Sequence, residues 1–186
     1  MPISINRKLW YNGPNYTADS VIINPIAQKI LLIKRSSGEW ALPGGFINSK
    51  EESFTAAIRE TKEETGTIIS DDPILIYKGL VNDPRNSQTS WIETSAYLFI
   101  VNELSEVSGR DDAIDAAWLP LNNLPKLYAS HDEIVIRAID YLSCRSLIKI
   151  TEFSENYRNI NGGHMQYDKI IATKNGHSVF IKQTST

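Results

Sequence analysis

The segment between positions 43 and 66 carries the residue types and spacing that could do chemistry. Five glutamates fall within fourteen positions: Glu51, Glu52, Glu60, Glu63 and Glu64. An α-helix turns by about 100° per residue, so the glutamates at 60, 63 and 64 project from one side of it. Like charges at positions i and i+4 destabilise a bare helix by about 0.2–0.5 kcal/mol per pair. The crowding therefore favours a bound cation that offsets the repulsion.

Mg²⁺ and Mn²⁺ are the cations that such a helix face favours. Both are hard ions that prefer carboxylate oxygen, and Mg²⁺ commonly uses one or two carboxylates together with substrate phosphates. The Gly44-Gly45 step before the helix adds backbone carbonyl groups without side-chain bulk. The segment can therefore hold divalent ions against a phosphate chain. Taken alone, the run "RETKEE" at 59–64 is more typical of a solvated helix face.

The full spacing of the segment decides between these two interpretations. Its fixed positions are Gly45, Glu51, Arg59, Glu60, Glu63, Glu64 and Gly66. At average residue usage this combination arises by chance on the order of once in 10⁸ to 10⁹ starting points. The pattern resembles the Nudix box, the signature of a family that hydrolyses nucleoside diphosphates linked to another group. Thr61 and Thr67 depart from it, because the family prefers aliphatic residues there, and this difference concerns local packing.

The resemblance implies a fold, a cofactor and a set of site residues. The fold is an α/β/α sandwich with a mixed sheet, in which the box forms a loop–helix–loop. The implied cofactor is Mg²⁺, for which Mn²⁺ can substitute. Glu60 and Glu64 would be the principal metal ligands, with Glu63 in support and the Gly45 carbonyl as a further ligand. Glu51 and Arg59 would be the charges that orient the box.

Three stretches outside the box bear on the substrate: "GPNYTAD" at 13–19, "VNDPRNSQTSWIET" at 81–94 and "LYASHDE" at 127–133. Together with "GEWALPGG" they resemble mitochondrial-type ADP-ribose pyrophosphatases and the Nudix half of bifunctional nicotinamide-mononucleotide adenylyltransferases. This resemblance implies cleavage of ADP-ribose to AMP and ribose 5-phosphate. The alternatives are another nucleoside diphosphate derivative (a dinucleoside polyphosphate, NADH or an oxidised nucleotide) and a non-catalytic ADP-ribose sensor.

A sugar-nucleotide ligand needs cations for its diphosphate, an apolar wall for its base and hydrogen-bonding groups for its ribose. The candidates are Arg35, Phe46, Asp83, Arg85 and Trp91. Arg35 ends a strand, and its guanidinium fork matches phosphate oxygens, although a surface strand end is the alternative. Asp83 and Arg85 lie on a Pro-containing loop and could meet ribose hydroxyls. Phe46 and Trp91 are stacking candidates, as is Tyr128, although Trp91 and Tyr128 are more often core aromatics.

Hydrolysis also requires a general base that takes a proton from water. Glu64 is the favoured candidate unless it is fully used as a metal ligand. The loop "SGRDDAIDAAW" at 108–118 offers Asp112 as the alternative, and Glu93 is a third candidate. His131 is more typical of an exposed helix start than of a catalytic group.

These side chains must be positioned by a regular framework of strands and helices. Ser49 and Glu52 form a candidate capping box, and Gly66 a candidate C-terminal residue, for a helix over about 50–65. Strands are predicted at 74–80, 91–101 and 115–121. A second helix is predicted to begin with a capping box of Ser130 and Glu133. The spacing thus predicts an α/β fold.

Three segments are expected along the chain: an N-terminal leader at 1–17, the catalytic domain at 18–147 and an extension at 148–186. Asn175-Gly176 in the extension fits the type I′ turn of a β-hairpin. We attach no function to this extension.

The bulk composition excludes several classes of protein. The 186 residues carry a formal net charge of −3, which disfavours a nucleic-acid partner. The single cysteine excludes an internal disulfide framework. The N-terminus lacks the apolar core of a signal peptide, and no apolar run approaches the roughly 20 residues that span a bilayer. We therefore expect a cytoplasmic protein with a small-molecule substrate, no membrane partner and an oligomeric state that leaves a homodimer open.

Overall fold

The computed structural model describes residues 9–70 and 72–148, together with the backbone of two strands near the C-terminus. The elements of the main body are β1 (Gly13–Asn24), β2 (Lys29–Arg35), β3 (Trp40–Ala41), β4 (Gly44–Phe46), α1 (Ser53–Thr65), β5 (Ile74–Leu80), β6 (Ser90–Ile100), β7 (Ala113–Pro120) and α2 (His131–Cys144). The C-terminal strands are β8 (Tyr167–Ala172) and β9 (Ser178–Lys182).

A mixed sheet of seven strands, ordered β3-β2-β1-β6-β5, forms the centre of the fold. Strand β4 also pairs with β1, and β7 also pairs with β2. The pairing of β1 with β6 is parallel and runs from Gly13 and Ser90 to Ile23 and Ile100, whereas the other pairs are antiparallel. The apolar run Val21–Ile23 is fully buried, as expected of a strand covered on both faces.

The two helices cover opposite faces of this sheet. Successive side chains of a strand point to opposite faces, so neighbouring residues of β1 join different clusters. Ile22 packs in the cluster that contains Ala56 and Ala57 of α1. Val21 and Ile23 pack in the cluster that contains apolar residues of α2, including Ile134, Val135, Ala138, Ile139 and Leu142. The expected α/β/α sandwich is confirmed.

Strand β1 also positions the start of the acidic segment. Its residues 22–24 pair with β2, and its residues 17–19 pair with β4, where Ala18 lies opposite Gly45. The backbone N–H of Ser20 donates to the Pro43 carbonyl (2.8 Å) between these two pairings. The Pro-Gly-Gly turn is therefore fixed against the middle of the central strand, directly before α1.

Helix α1 ends as predicted but begins later. Gly66 has a φ of 74°, and its N–H donates to the Lys62 carbonyl, so it terminates the helix. The expected capping box of Ser49 and Glu52 is wrong, because the helix begins at Ser53 and Glu52 makes no side-chain capping hydrogen bond. Lys50, where the predicted helix began, has a φ of 66°. This is a left-handed backbone conformation, which does not continue into a right-handed α-helix.

Helix α2 differs from its prediction in its cap. Ser130 is at the N-cap position but makes no side-chain capping bond. Its hydroxyl oxygen instead accepts the Asn82 N–H at 2.8 Å. The predicted capping box of Ser130 and Glu133 is therefore wrong, since the serine holds the loop after β5.

The predicted strand at 74–80 is confirmed, and β6 and β7 begin one and two residues earlier than predicted. Strand β1 begins at Gly13, inside the segment expected to be a leader at 1–17, so the last residues of that segment belong to the sheet. Strands β8 and β9 pair antiparallel, as the predicted hairpin requires. The predicted Asn175-Gly176 turn lies outside the described residues.

Thr61 and Thr67 show how this chain accommodates polar residues at two positions expected to be aliphatic. Thr61 is fully buried, and its hydroxyl lies 2.8 Å from the Ala57 carbonyl oxygen and 2.9 Å from the Ser20 hydroxyl. Thr67 is nearly buried, and its hydroxyl lies 3.2 Å from that of Ser105. Hydrogen bonds satisfy both hydroxyls, so local packing is preserved.

Neither helix of the described residues has the length and apolar character of a membrane-spanning segment.

Candidate active site

Arg59 organises the carboxylates of α1. We use the name acidic face for Glu60, Glu63 and Glu64 of this helix together with Glu51. Its Nε and Nη2 donate to the two carboxylate oxygens of Glu51 at 2.8 and 3.0 Å. Its Nη1 donates to Glu60 (2.7 Å) and to Glu63 (2.9 Å), and its Nη2 also reaches the Phe46 carbonyl (3.1 Å). The hydrogen bonds from Arg59 lower the pKa of Glu51. The orienting role expected of Glu51 and Arg59 agrees with this geometry.

Glu64 is the buried member of the acidic face, with 3% of its surface exposed. Its Oε2 accepts the Gly44 N–H at 2.8 Å. Burial raises the pKa of Glu64 to about 9, against the effect of the Gly44 N–H, and the neighbouring Asp112 and Glu60 raise it further. Ionised Glu64 at neutral pH therefore requires additional positive charge close by.

Glu60 lies against the glycine turn. A methyl group at Gly45 would come within 2.5 Å of Glu60 Oε1, so the glycine lets this carboxylate lie directly against the turn. Burial raises the pKa of Glu60, Arg59 opposes this shift, and Glu63 and Asp112 add to it. Gly45 and Glu60, both predicted metal ligands, are thus brought together.

Asp112, the predicted loop alternative for the general base, lies beside Glu60 and Glu64. It reaches them through residues 108–112, which we call the capping loop. The backbone N–H of Arg110 donates to the Glu64 carbonyl at 2.9 Å, and that of Ser108 approaches the Thr65 carbonyl at 3.4 Å. The exposed Asp112 carboxylate then lies close enough to Glu60 and Glu64 to raise the pKa of both.

Asp19 is a site residue that the sequence analysis missed. A methyl group at Gly44 would collide with its Oδ1, and its Oδ2 accepts the Thr94 hydroxyl at 2.5 Å. Only 6% of its surface is exposed. An acidic residue within the apolar strand "ADSVIIN" was the signal that could have identified it.

The acidic face fits a hard divalent cation. In residues 9–70 and 72–148, no three His, Cys, Asp or Glu side chains are already arranged to hold a metal ion. Arg59 engages Glu60 and Glu63, while the Gly44 N–H engages Glu64. The available donors are nevertheless all oxygens, and burial opposes ionisation of both Glu60 and Glu64. Mg²⁺ or Mn²⁺, held by Glu60, Glu63, Glu64 and the Gly45 carbonyl, would offset that cost.

Phe46 connects the acidic face to a second group of side chains. Its carbonyl accepts from Arg59, while its ring stacks on Trp10 with 5.1 Å between centroids. The Arg85 guanidinium lies 5.6 Å from the centre of the same ring. Trp10 is 74% exposed, so an aromatic surface extends outward from the acidic face. Trp10 was not among the site residues predicted from the sequence.

The second group, which we call the Asp83 pocket, contains Asp83, Arg85, Tyr128, Arg35 and His131. Arg85 donates to both oxygens of Asp83 at 2.8 Å, and the Tyr128 hydroxyl donates to Oδ2 at 3.1 Å. The Arg35 guanidinium lies 4.2 Å from the centre of the Tyr128 ring. Burial disfavours the charge of Asp83, but the hydrogen bonds from Arg85 outweigh it and lower the pKa. Arg85 thus bonds the carboxylate directly, and Arg35 stacks on the tyrosine that also bonds it.

His131 has a structural role rather than the exposed position expected of it. It is buried, and its Nδ1 accepts the Leu42 N–H at 2.9 Å, which anchors the residue before Pro43. Burial lowers the pKa of His131 and so favours the neutral form that can accept this bond. The histidine therefore holds the Pro-Gly-Gly turn in place from the start of α2.

Within the described residues, no hydrogen bond or ring contact joins Trp91 or Glu93 to the Asp83 pocket. The indole N–H of Trp91 donates to Glu93 Oε1 at 2.9 Å. Both residues lie on β6, where Trp91 is opposite Pro14 and Glu93 opposite Tyr16. Among the predicted substrate-binding residues, the structure brings together Arg35, Phe46, Asp83 and Arg85, and leaves Trp91 apart from them.

Comparison with known proteins identifies the family. The NUDIX domain matches residues 14–138. Over 131 residues the chain is 38% identical to an ADP-ribose pyrophosphatase of Methanocaldococcus jannaschii, covering 67% of this chain and 73% of that protein. Over 164 residues it is 30% identical to the mitochondrial ADP-ribose pyrophosphatase of Rattus norvegicus, covering 66% of this chain and 47% of the rat protein. The chain thus spans only about half the length of that longer relative.

A crystal structure of a MutT/nudix family protein from Enterococcus faecalis has the same fold. It superposes with a TM-score of 0.60 at 29% sequence identity, over 72% of this chain and 64% of that one. The matched sequence, the shared fold and the complete acidic segment agree with one another. The chain belongs to the Nudix family.

Proposed function

We propose that this protein is a Mg²⁺-dependent hydrolase that cleaves the diphosphate of ADP-ribose to AMP and ribose 5-phosphate. The observation that carries the proposal is the contact chain from the acidic face through Phe46 to the Asp83 pocket. One end has an excess of carboxylates for a cation, and the other has an excess of guanidinium groups for an anion. A diphosphate flanked by two sugars needs both. Two relatives named as ADP-ribose pyrophosphatases support this choice of substrate.

The reaction is attack of a water oxygen on one phosphorus atom, with cleavage of the bond from that phosphorus to the bridging oxygen. A divalent cation, when bound, supplies charge that neutralises the diphosphate oxygens and acidifies water. Glu60, Glu63, Glu64 and the Gly45 carbonyl would hold it. Arg59 fixes two of these carboxylates by hydrogen bonds, so their positions are set before substrate arrives.

Asp112 is the residue that we assign to accept the proton from the attacking water. It is exposed and lies beside both Glu60 and Glu64. Glu64, which the sequence favoured for this role, is buried and already accepts the Gly44 N–H, as suits a metal ligand. A loop carboxylate remains free to exchange its proton with solvent after each turnover, and general-base catalysis of this kind contributes about 10²–10⁴-fold.

Arg35 and Arg85 would hold the diphosphate and its attached ribose. The Arg35 guanidinium stacks on Tyr128 without a carboxylate partner at ion-pair distance in the described residues, so its donors can turn to phosphate oxygens. Asp83 accepts from Arg85 and Tyr128 and so holds both groups in the pocket. The stacked Trp10 and Phe46 rings supply an apolar wall for the base. A catalytic role is favoured over that of a sensor because every carboxylate of the box is present.

A substrate panel tests this proposal. The protein is incubated with Mg²⁺ and, separately, ADP-ribose, NADH, 8-oxo-dGTP or a diadenosine polyphosphate, and the products are separated by chromatography. We expect AMP and ribose 5-phosphate from ADP-ribose at the highest kcat/KM of the panel, and loss of turnover when EDTA is added. Preferred turnover of 8-oxo-dGTP would refute the substrate assignment. Tight ADP-ribose binding without cleavage would instead support the sensor.

A further inference from the structure

The capping loop completes the C-terminal end of α1. The last four carbonyl groups of an α-helix have no partner within the helix. Here the Lys62 carbonyl accepts the Gly66 N–H, the Glu64 carbonyl accepts the Arg110 N–H, and the Thr65 carbonyl is approached by the Ser108 N–H. The loop is therefore bound to the same helix turn that carries Glu64.

The Arg110 side chain adds a second attachment, to the last glycine of the box. A methyl group at Gly66 would lie 2.7 Å from Arg110 Cζ and 2.9 Å from its Nη1, so the guanidinium rests directly on this glycine. Arg110 Nε also donates to Ser108 Oγ within the loop (3.2 Å). A cation at a helix C-terminus is favoured by the helix dipole. Gly66 is thus favoured by its φ of 74°, and its lack of a side chain leaves the space that Arg110 occupies.

The turn from Arg110 to Ala113 then determines where Asp112 lies. The Ala113 N–H donates to the Arg110 carbonyl at 2.9 Å, which closes a tight turn. Asp111 within it has a φ of 52°. Gly109 packs so closely on the Asp115 backbone that no side chain fits there. With Arg110 fixed on α1, this turn leaves Asp112 next to Glu60 and Glu64.

We infer that Arg110 is a positioning residue, whose packing on Gly66 holds the capping loop so that Asp112 faces the carboxylates of α1. Arg110 contributes no atom to the reaction and acts through Asp112. This inference rests on the proposed function in one respect, the role of Asp112 in proton transfer. The attachment of the loop to α1 is independent of it.

A double-mutant cycle of Arg110→Ala with Asp112→Asn tests the catalytic half of the inference. Misplacing a catalytic group by about 1 Å costs about 10²-fold, so we expect Arg110→Ala to lower kcat for ADP-ribose by about 10–100-fold. KM should change by less than about 3-fold, because Arg110 lies outside the residues proposed to bind substrate. In the Asp112→Asn background the same change should lower kcat by no more than about 2-fold, since residues that act as a unit are not additive.

Arg137→Ala is the matched control, because Arg137 is an exposed arginine on α2 whose guanidinium lies 5.3 Å from the centre of the Tyr77 ring. It should leave kcat within about 2-fold of wild type. Equal losses from Arg110→Ala in the presence and absence of the Asp112 carboxylate would overturn the inference. An unchanged kcat in Arg110→Ala would overturn it as well.

Hydrogen exchange tests the structural half without substrate or metal. The amide at position 110 bonds the Glu64 carbonyl, and we expect its exchange to be at least about 10-fold faster in Arg110→Ala than in the wild type or in Arg137→Ala. Equal protection in the three proteins would overturn the inference. If the wild type released no AMP from ADP-ribose, the proposed function would fail, while this exchange measurement would still decide whether Arg110 holds the loop.

Discussion

The acidic face and the Asp83 pocket have opposite imbalances of charge. On the acidic face the Arg59 guanidinium bonds Glu51, Glu60 and Glu63, while the Glu64 carboxylate accepts the backbone N–H of Gly44. In the pocket, the Arg85 guanidinium bonds Asp83, and the Arg35 guanidinium lies over the Tyr128 ring. The pKa shifts follow this difference: the pKa of buried Glu64 is raised, whereas that of buried Asp83 is lowered.

Burial alone therefore does not decide whether a carboxyl group is charged. Asp83 and Glu64 are about equally hidden from solvent, with 5% and 3% of their surfaces exposed. Two hydrogen bonds from the Arg85 guanidinium keep Asp83 ionised, whereas no guanidinium in residues 9–70 and 72–148 bonds the Glu64 carboxylate. The first region is prepared for a cation and the second for an anion. Three experiments test this contrast.

Replacing Glu64 with Gln should have the largest effect. The change keeps the shape of the side chain and removes a charge that would bind the cation, so we expect kcat for ADP-ribose to fall by at least about 10²-fold. Steady-state assays at saturating Mg²⁺ measure it. Glu52→Gln is the matched control, because Glu52 is exposed in the same segment and makes no side-chain capping bond. Wild-type rates in Glu64→Gln would contradict the assigned cation site.

Replacing Arg35 with Ala should have the next largest effect, on substrate binding. A hydrogen bond to a charged group contributes about 1.5–3 kcal/mol, so we expect KM for ADP-ribose to rise by about 10-fold or more with little change in kcat. Lys34→Ala is the control, since Lys34 is the neighbouring cation on β2 and lies over Trp40 instead. Similar KM values for the two variants would contradict an anion site in the Asp83 pocket.

The smallest effect concerns stability in the absence of metal. The pKa of Glu64 is about 9 in the folded protein, against an ordinary value of 4.5. Between these values the folded state holds a proton that the unfolded state releases, so the free energy of unfolding falls as pH rises. The slope approaches about 1.4 kcal/mol per pH unit. Urea unfolding at pH 6, 7 and 8 with EDTA should show this trend in the wild type relative to Glu64→Gln.

Added Mg²⁺ should weaken that pH dependence, because the cation takes the place of the proton on the carboxylate. Parallel curves for wild type and Glu64→Gln in EDTA would show that Glu64 is ionised without a cation. The contrast between the two regions would then be wrong.

Much of the acidic face could be predicted from the sequence because its residues are close together in the chain. Spacing along one helix determines which side chains share a face, and a glycine before and after the helix marks its ends. Arg59, Glu60, Glu63 and Gly45 do lie together, as this spacing predicts. The start of α1 was not, since the Ser49–Glu52 pattern satisfies a local rule, whereas Glu51 is held by Arg59 eight residues away.

The Asp83 pocket could be predicted only in part, because its members come from three distant stretches of the chain. Arg35, Asp83 and Arg85 were identified by residue type, but nothing local shows that Tyr128 bonds Asp83 across 45 positions. His131 was expected at the surface because helix starts commonly are. Its burial follows from the packing of α2 on the sheet, which no pattern within the helix reveals.

The parallel pairing of β1 with β6 has a consequence for the nascent chain during translation. Gly13 and Ser90 are partners, and every glutamate of the box lies between them in the sequence. At about 5–20 residues per second, translation from residue 64 to residue 100 takes about two to seven seconds. During that interval the central sheet lacks β6, and Thr94 is not yet available to Asp19. The central strand therefore completes its pairing late in synthesis, after the whole acidic segment has been made.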